Sequence, residues 1–218
     1  MRLVITGANG FIGSRVLRLA LHRGHHVTAA LRPGCDTRRI DDLRGYTRTG
    51  PIPDDLRGVD ALIHLAWPVP PRTYRHDDAN LDGLEHAARV FAAAAEAGVA
   101  SVVGVGTCLE LGPTEAVRGE ADPADPRDLY STTKDAAARL GRHLVTEAGG
   151  TFTHARLFHV VGPGEARGRL AREALEAFRA GRTFRTSPGA QVRDWMHADD
   201  VADALLTLAE GAPGGTAH

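Results

Sequence analysis

The chain is poor in the features that anchor several other protein classes. Its 218 residues include only two cysteines, Cys35 and Cys108, with no metal-type spacing between them. That excludes a disulfide scaffold and fits a reducing compartment. Neither sign of charge is in excess, because 26 Lys+Arg stand against 27 Asp+Glu. A nucleic-acid groove or a membrane-surface patch needs clustered basic charge, so neither partner is expected. No apolar run approaches the ~20 residues that span a bilayer. The opening MRLVITGANG reads as a strand entering a glycine loop. It lacks the basic start, long apolar stretch and small-residue cleavage site of a signal peptide. A cytoplasmic protein is the expectation. The length suits one domain, or one with a small appendage, which buries about 70% of its unfolded surface without help from metals.

What is present is an alternation of short apolar runs, rich in β-branched residues, with longer helical patterns. Leu3-Val4-Ile5, Val27 to Leu31, Ala61 to Leu65, Ser101 to Val105, Phe152 to Leu157 and Val192 to Met196 read as strands. Ser14 to His22, Leu81 to Ala97, Asp128 to Glu147, Arg169 to Ala180 and Asp199 to Glu210 read as helices, two of them stopped by glycine at Gly98 and Gly149-Gly150. The Arg- and Pro-rich stretch from Gly34 to Gly58 leaves room for one helix turn and a weak strand near Tyr46. Nearly continuous apolar strands alternating with helices predict an α/β fold, a doubly wound parallel sheet of the Rossmann type with helices on both faces.

Gly7-Ala8-Asn9-Gly10-Phe11-Ile12-Gly13 follows the first strand directly and opens the first helix. One glycine permits the tight turn, one lets backbone approach a pyrophosphate, and one lets the helix pack close to the strand. The helix N-terminus adds unpaired N–H groups and partial positive charge for the phosphates. The spacing is G-x-x-G-x-x-G, a variant compatible with the same mechanics. Gly7, Asn9, Gly10, Phe11, Ile12 and Gly13 are therefore candidate dinucleotide-binding positions. At the end of the second strand, where an acidic residue would bind the adenosine ribose, stand Leu31-Arg32-Pro33. Arg32 suits a 2′-phosphate and adenine stacking, which places NADP ahead of NAD; a solvated surface arginine is the alternative.

Tyr130 and Lys134 open the long third helix at i, i+4, on one face and one turn apart. A phenol titrates near pH 10 unaided, and a nearby ammonium favours its ionised form. The pair is thus a candidate proton-transfer couple, with a surface helix pair as the plain alternative. The preceding strand ends in Gly106-Thr107-Cys108, where a hydroxyl is available to a substrate oxygen. Ligands in such folds bind at the carboxyl ends of the strands. Eleven histidines raise the question of a metal. His25-His26 falls in a turn and His64 in a buried strand. His22, His76, His86, His143 and His154 share no spacing with carboxylates or one another, so no metal site is expected. Trp67-Pro68-Val69-Pro70-Pro71 reads as a loop over the cofactor.

Taken together the chain resembles the extended short-chain dehydrogenase/reductase family, the group of nucleotide-sugar epimerases, dehydratases and ketoreductases, over nearly its whole length. The resemblance rests on GANGFIG at the start, Asp60 to Ala66, Asn80, and Gly104 to Thr107 with Gly112. Tyr130 with Lys134, Arg156 to Gly164 and Arg193 to Val201 complete it. It implies that Thr107, Tyr130 and Lys134 are catalytic, with Tyr130 exchanging a proton with the sugar oxygen and Thr107 hydrogen-bonding that same oxygen. It implies further that Leu65, Ala66 and Phe158, with Tyr130 and Lys134, join the glycine loop at the cofactor. Cys108, His159, Arg169 and Arg193 would face a nucleotide-sugar substrate, Arg193 at its diphosphate, with Arg172 and His197 as further possibilities. Relatives often form homodimers through the Tyr-bearing helix and the helix before it.

The departures from the family pattern sharpen the expectation. Leu111 stands where the family has tyrosine, and His159 where it has asparagine. Dehydratases place an acid straight after the catalytic threonine, whereas Thr107 is followed by Cys108-Leu109, with Glu110 three residues on. This stretch resembles that of 4-ketoreductases acting on nucleotide-linked 4-keto-6-deoxy sugars. The expectation is NADP(H)-dependent reduction of such a sugar. A nucleotide-sugar epimerase with tightly bound NAD and a non-catalytic NADP-binding regulator are the alternatives. Relatives continue past the Arg193–Val201 segment, whereas this sequence stops at His218, as a small member or a shortened one would. Residues 1–165 are expected to form the cofactor-binding core. Residues 166–218 would form a reduced substrate-binding portion, interleaved with the last core strand and helix.

Overall fold

Leu3, Val4 and Ile5 can follow one another without a polar break only where a strand is covered on both faces. In the computed structural model, which describes residues 1–52, 55–70, 72–114 and 116–218, that strand is β1 (Arg2–Thr6). It is followed by α1 (Gly13–His22), β2 (His26–Ala30), β3 (Tyr46–Thr49), β4 (Ala61–His64), α2 (Ala79–Glu96) and β5 (Ser101–Thr107). A 3₁₀ turn (Cys108–Leu111), α3 (Leu129–Glu147), β6 (Thr151–Leu157), β7 (His159–Val161), α4 (Leu170–Arg179), β8 (Trp195–His197), α5 (Ala198–Gly211) and β9 (Gly215–Ala217) complete the described chain. Seven strands form one parallel sheet in the order β3-β2-β1-β4-β5-β6-β9, and β7 pairs with β8 in a separate two-stranded sheet.

The pleat sorts the strand residues between two cores. Leu3, Ile5, Ile63 and Val103 meet Val16, Leu17 and Ala20 of α1 and Val201, Leu205 and Leu206 of α5. Val4, Leu62 and Val102 face the other way, onto Ala87, Val90 and Phe91 of α2 and Ala137 and Val145 of α3. Of the α2 alanines, Ala87 and Ala94 are buried in this core, while Ala92 is exposed. Each buried Leu, Ile or Val contributes roughly 1.5–3 kcal/mol relative to exposure. Phe91 and Phe152 meet edge to face at 5.3 Å, and Gly141 of α3 lies so close that a Cβ there would sit 2.9 Å from Phe91 Cδ2. That close approach sets the depth at which α3 carries Tyr130 and Lys134.

The weak strand near Tyr46 is present as the outer strand β3, paired to β2. Two features differ from the sequence pattern. The strand expected at Val192–Met196 begins only at Trp195 and leaves the main sheet to pair with β7, which periodicity did not signal. Three-residue β9, Gly-Thr-Ala, has little strand propensity and exists because β6 offers it an open edge at Thr153 to Ala155. Within residues 166–218, α5 packs in the core and β9 extends the main sheet, while α4 buries only Ala177 and leaves Leu170, Leu175 and Phe178 exposed. Among the described residues no helix is long and apolar enough to cross a membrane.

Candidate active site

The strand order reverses between β2-β1 and β4-β5, so the loops after β1 and β4 diverge and leave a crevice at their carboxyl ends. The glycine loop lies there. Gly7 has φ +69°, and a Cβ on it would sit 2.8 Å from Ala66 N. Gly10 N–H donates to Gly7 O (2.9 Å), and a Cβ on Gly13 would overlap that same oxygen. No side chain caps α1 at Ile12; Ser14 N–H donates to Gly10 O (3.1 Å) and Arg15 N–H to Ile12 O (2.9 Å), so the loop's own carbonyls take up two of its first amides. Thr6 Oγ1 accepts from the Leu65 and Ala66 amides (3.2 Å each), which fixes the β4 loop beside Gly7. Asn9 Nδ2 donates to Asp36 O (2.8 Å), bringing the segment after β2 over the loop. The Asp36 carboxylate is bound by Arg38, which holds its pKa down at about 2. Arg32 is exposed, with no side-chain partner among the described residues. A helix start without a side-chain cap, side-chain-free backbone and an exposed guanidinium fit a dinucleotide.

Thr107 ends β5 and caps the 3₁₀ turn, its hydroxyl accepting from Leu109 N–H (3.4 Å). Tyr130 sits in the first turn of α3, which Asp128 caps by accepting from Ser131 N–H (2.8 Å), a contact worth about 1 kcal/mol. Its amide donates to Arg75 O (3.0 Å), and its ring meets Tyr74 edge-on at 5.0 Å and Trp67 at 6.5 Å. Burial pushes the Tyr130 phenol above its ordinary pKa and Tyr74 adds to this, while the Thr107 side chain draws it partly back. Lys134, one turn on, is 5% exposed; its Nζ donates to Val105 O (2.8 Å) and lies 4.1 Å over the Trp67 ring. Burial lowers its pKa to about 7 against the opposing pull of Glu110.

The expected lowering of the Tyr130 pKa by Lys134 is therefore corrected. The ammonium is turned to Val105 and Trp67, and burial of the phenol sets the direction of its shift. Tyr130 is held protonated at neutral pH. Lys134 also gives a pH prediction for stability. Its folded pKa lies below the unfolded 10.5, so the unfolded chain binds more protons between about 7 and 10.5, and stability rises across that window. Lys134→Met is expected to be more stable than the parent by about 1–4 kcal/mol at and below pH 7, and the difference should close as pH nears 10. Urea unfolding of both proteins across that range checks it, and a parent that is the more stable at pH 7 would refute the assignment.

Of the residues expected to face a substrate, the structure places Arg169 and Arg193 within electrostatic reach of His159. Arg169 lies 5.6 Å over the Tyr74 ring, and burial, Arg193 and Arg169 all depress the His159 pKa. The His159 ring packs on Trp195 (5.0 Å), and Arg193 is exposed. Arg172 is engaged elsewhere, with Glu165 O (2.5 Å) and Glu176 (2.7 Å). His197 is taken up as the N-cap of α5, accepting from Asp199 N–H (3.3 Å). Burial raises the Cys108 thiol above its usual value, which suits a filler and not a nucleophile. The Phe158 ring packs on His218 (5.3 Å). Pro71, the last residue of the Trp67–Pro71 stretch, lies outside the described residues; Trp67 Nε1 donates to Asn80 Oδ1 (2.9 Å).

Sequence reasoning missed two features. Tyr74 stands against Tyr130. Glu110, fully buried, accepts from Thr107 N–H (2.9 Å), from Arg156 Nε (3.0 Å) and at His154 Nε2 (2.7 Å). Burial raises the Glu110 pKa, but His154, the Thr107 amide and Arg156 together outweigh it and the net shift is downward. A signal was available, because His154 and Arg156 alternate on one face of a strand that otherwise reads as buried. Such a face needs a carboxylate partner.

A parallel sheet with a glycine loop at its switch point and a Tyr–Lys helix beside it defines a chain of the dinucleotide-binding Rossmann class. The sequence pattern of the NAD dependent epimerase/dehydratase family matches residues 3–217, and the chain belongs to that family. It is 27% identical over 144 residues to a dTDP-6-deoxy-L-talose 4-dehydrogenase (NAD(+)) of Aggregatibacter actinomycetemcomitans, covering 62% of this chain and 52% of that one. It is 28% identical over 232 residues to UDP-glucuronic acid decarboxylase 6 of Arabidopsis thaliana, covering 97% and 66%. The fold matches MoeE5 in complex with UDP-glucose and NAD with a TM-score of 0.82 at 26% identity, over 99% of this chain and 74% of that one. The chain thus spans between half and two thirds of these two curated relatives' length.

Proposed function

We propose that this chain reduces the 4-keto group of a nucleotide-linked 6-deoxy sugar, with Tyr130 as proton donor and Thr107 as second hydrogen-bond donor to the same oxygen. The observation that carries the reading is Tyr130 itself, a phenol kept protonated beside Thr107 at the end of β5 and next to the glycine loop. A bound nicotinamide dinucleotide would supply the hydride equivalent. Gly7, Gly10, Gly13 and the amides opening α1 would hold its pyrophosphate, Leu65 and Ala66 would border it, and Lys134 would meet its ribose. Arg169 and Arg193 offer positive charge to a diphosphate, and residues 166–218 supply this part of the substrate site. The dehydrogenase relative, named for position 4 of a 6-deoxy sugar nucleotide, supports the same substrate class.

Arg32 supports NADP. The relatives' names carry NAD, which supports the second reading, an epimerase retaining tightly bound NAD. Arg32→Ala is expected to weaken NADPH binding about 10–100-fold, the size of one lost charged hydrogen bond, and to leave NADH unaffected. Titration of nucleotide-free protein with each cofactor, and mass spectrometry of nucleotide released on denaturation, check this. Stoichiometric NAD that resists dialysis would replace the reductase by the epimerase.

A further inference from the structure

Three strands place His64, Gly104 and His154 in one row, because Gly104 is the Cα partner of His64 on one side and of His154 on the other. Neighbouring strands lie about 4.8 Å apart, so the two histidines flank a position that carries no side chain. The Phe152 ring takes most of that place, where a Cβ on Gly104 would sit 2.6 Å from its Cζ, and the His154 ring lies over Gly106, where a Cβ would sit 2.3 Å from its Cε1. What remains is a slot of about 10 Å³ lined by both histidines and Lys134, with Trp67, Phe91 and Phe152 as apolar wall. That is about the smallest volume that admits one water. His64 Nε2 and His154 Nδ1 are both buried without a hydrogen-bond partner.

The hydrogen-bond inventory fixes what each nitrogen offers. Thr6 Oγ1 already accepts from two amides, so its one proton is directed at His64 Nδ1 (2.9 Å), and Nε2 carries the proton of that ring. His154 Nε2 faces the Glu110 carboxylate, which only accepts, so in the neutral ring Nδ1 is an acceptor. A donor and an acceptor without partners thus belong to two residues that line one water-sized space, with Lys134 on its wall. We propose that one internal water is bound there, accepting from His64 Nε2–H and Lys134 Nζ–H and donating to His154 Nδ1. His64 and His154 are then positioning residues that join Lys134 to the Glu110 network. The role for Lys134 rests on the function proposed above; the water itself does not. The charged and titratable groups that act on Lys134 or share its cavity are Glu110 on the 3₁₀ turn, His64 on β4 and His154 on β6, with Tyr130 one turn back on α3; His86 acts on His64, and Arg156 on Glu110.

A crystal structure of the parent protein is expected to show one ordered water within hydrogen-bond distance of both ring nitrogens. Nitrogen NMR should find His64 protonated at Nε2. In His64→Phe the water should be lost and the Lys134 ammonium, titrated by NMR of its Nζ, should ionise at a pH lower by about one unit, a tenfold change. His64→Gln, which returns a donor at that place, should restore the titration. A slot without density in the parent overturns the proposal, and so does a Lys134 titration unmoved in His64→Phe. Because neither readout needs turnover, an inactive protein that holds the water would refute the proposed function and leave this assignment standing.

Discussion

Tyr130→Phe is expected to lower turnover of a 4-keto nucleotide sugar by about 10²–10⁴-fold, the usual worth of a positioned proton donor. Nucleotide affinity should stay within about threefold, since the ring keeps its contacts with Tyr74 and Trp67 and only the hydroxyl is removed. The direction follows from burial. A phenol whose pKa is raised is a proton donor at neutral pH, the state that reduction of the sugar ketone requires, and the loss should appear in both directions of the reaction because the equilibrium is unchanged. Stopped-flow measurement of NADPH consumption, with equilibrium binding of the same cofactor, separates the two quantities. A near wild-type rate would move the proton donor elsewhere, and Tyr74, in ring contact with Tyr130, is the next phenol to test.

Glu110→Gln is expected to cost about 3–5 kcal/mol of stability, because it leaves Arg156 and His154 buried without their carboxylate. Against a total of about 5–15 kcal/mol for a folded domain this is a large fraction. The sign with pH follows from the lowered Glu110 pKa. Its contribution is fully present above the ordinary value of 4.5 and is lost as pH falls through the lower folded value, so the parent should lose stability in acid faster than the variant. Denaturant unfolding at neutral and acid pH checks both statements. The double variant Glu110→Gln, Arg156→Met should recover part of the loss; a single-variant loss below about 1 kcal/mol would mean that the network is not held as a buried ion pair. Turnover should fall as well, since Glu110 holds the Thr107 amide in place.

Which parts of this protein were legible beforehand depends on the range of the forces involved. β1, α1 and the glycine loop are local. An unbroken apolar run, glycine at fixed offsets and a helix pattern within about ten residues determine them. The same holds for α3, where Asp128 caps the helix and the i, i+4 spacing puts Tyr130 and Lys134 on one face. β7, β8 and β9 were unread or shifted because each is three residues long and exists through a partner far along the chain.

The candidate site divides the same way. Residue types and spacing selected Thr107, Tyr130 and Lys134, but spacing carries no dielectric. Spacing put an ammonium near the phenol; packing buried both, turned Lys134 to Val105 and Trp67, and moved both pKa values against their charged forms. Glu110, His154 and Arg156 meet only when the 3₁₀ turn after β5 folds back over β6. The sequence by itself determined the alternation of the longer strands and helices, the glycine loop and which residues are candidates for the reactive groups, because those are properties of neighbouring residues. Tertiary structure alone decided which charges are buried, which are paired and which face the crevice, because desolvation depends on every element packed around a group and no local pattern records it.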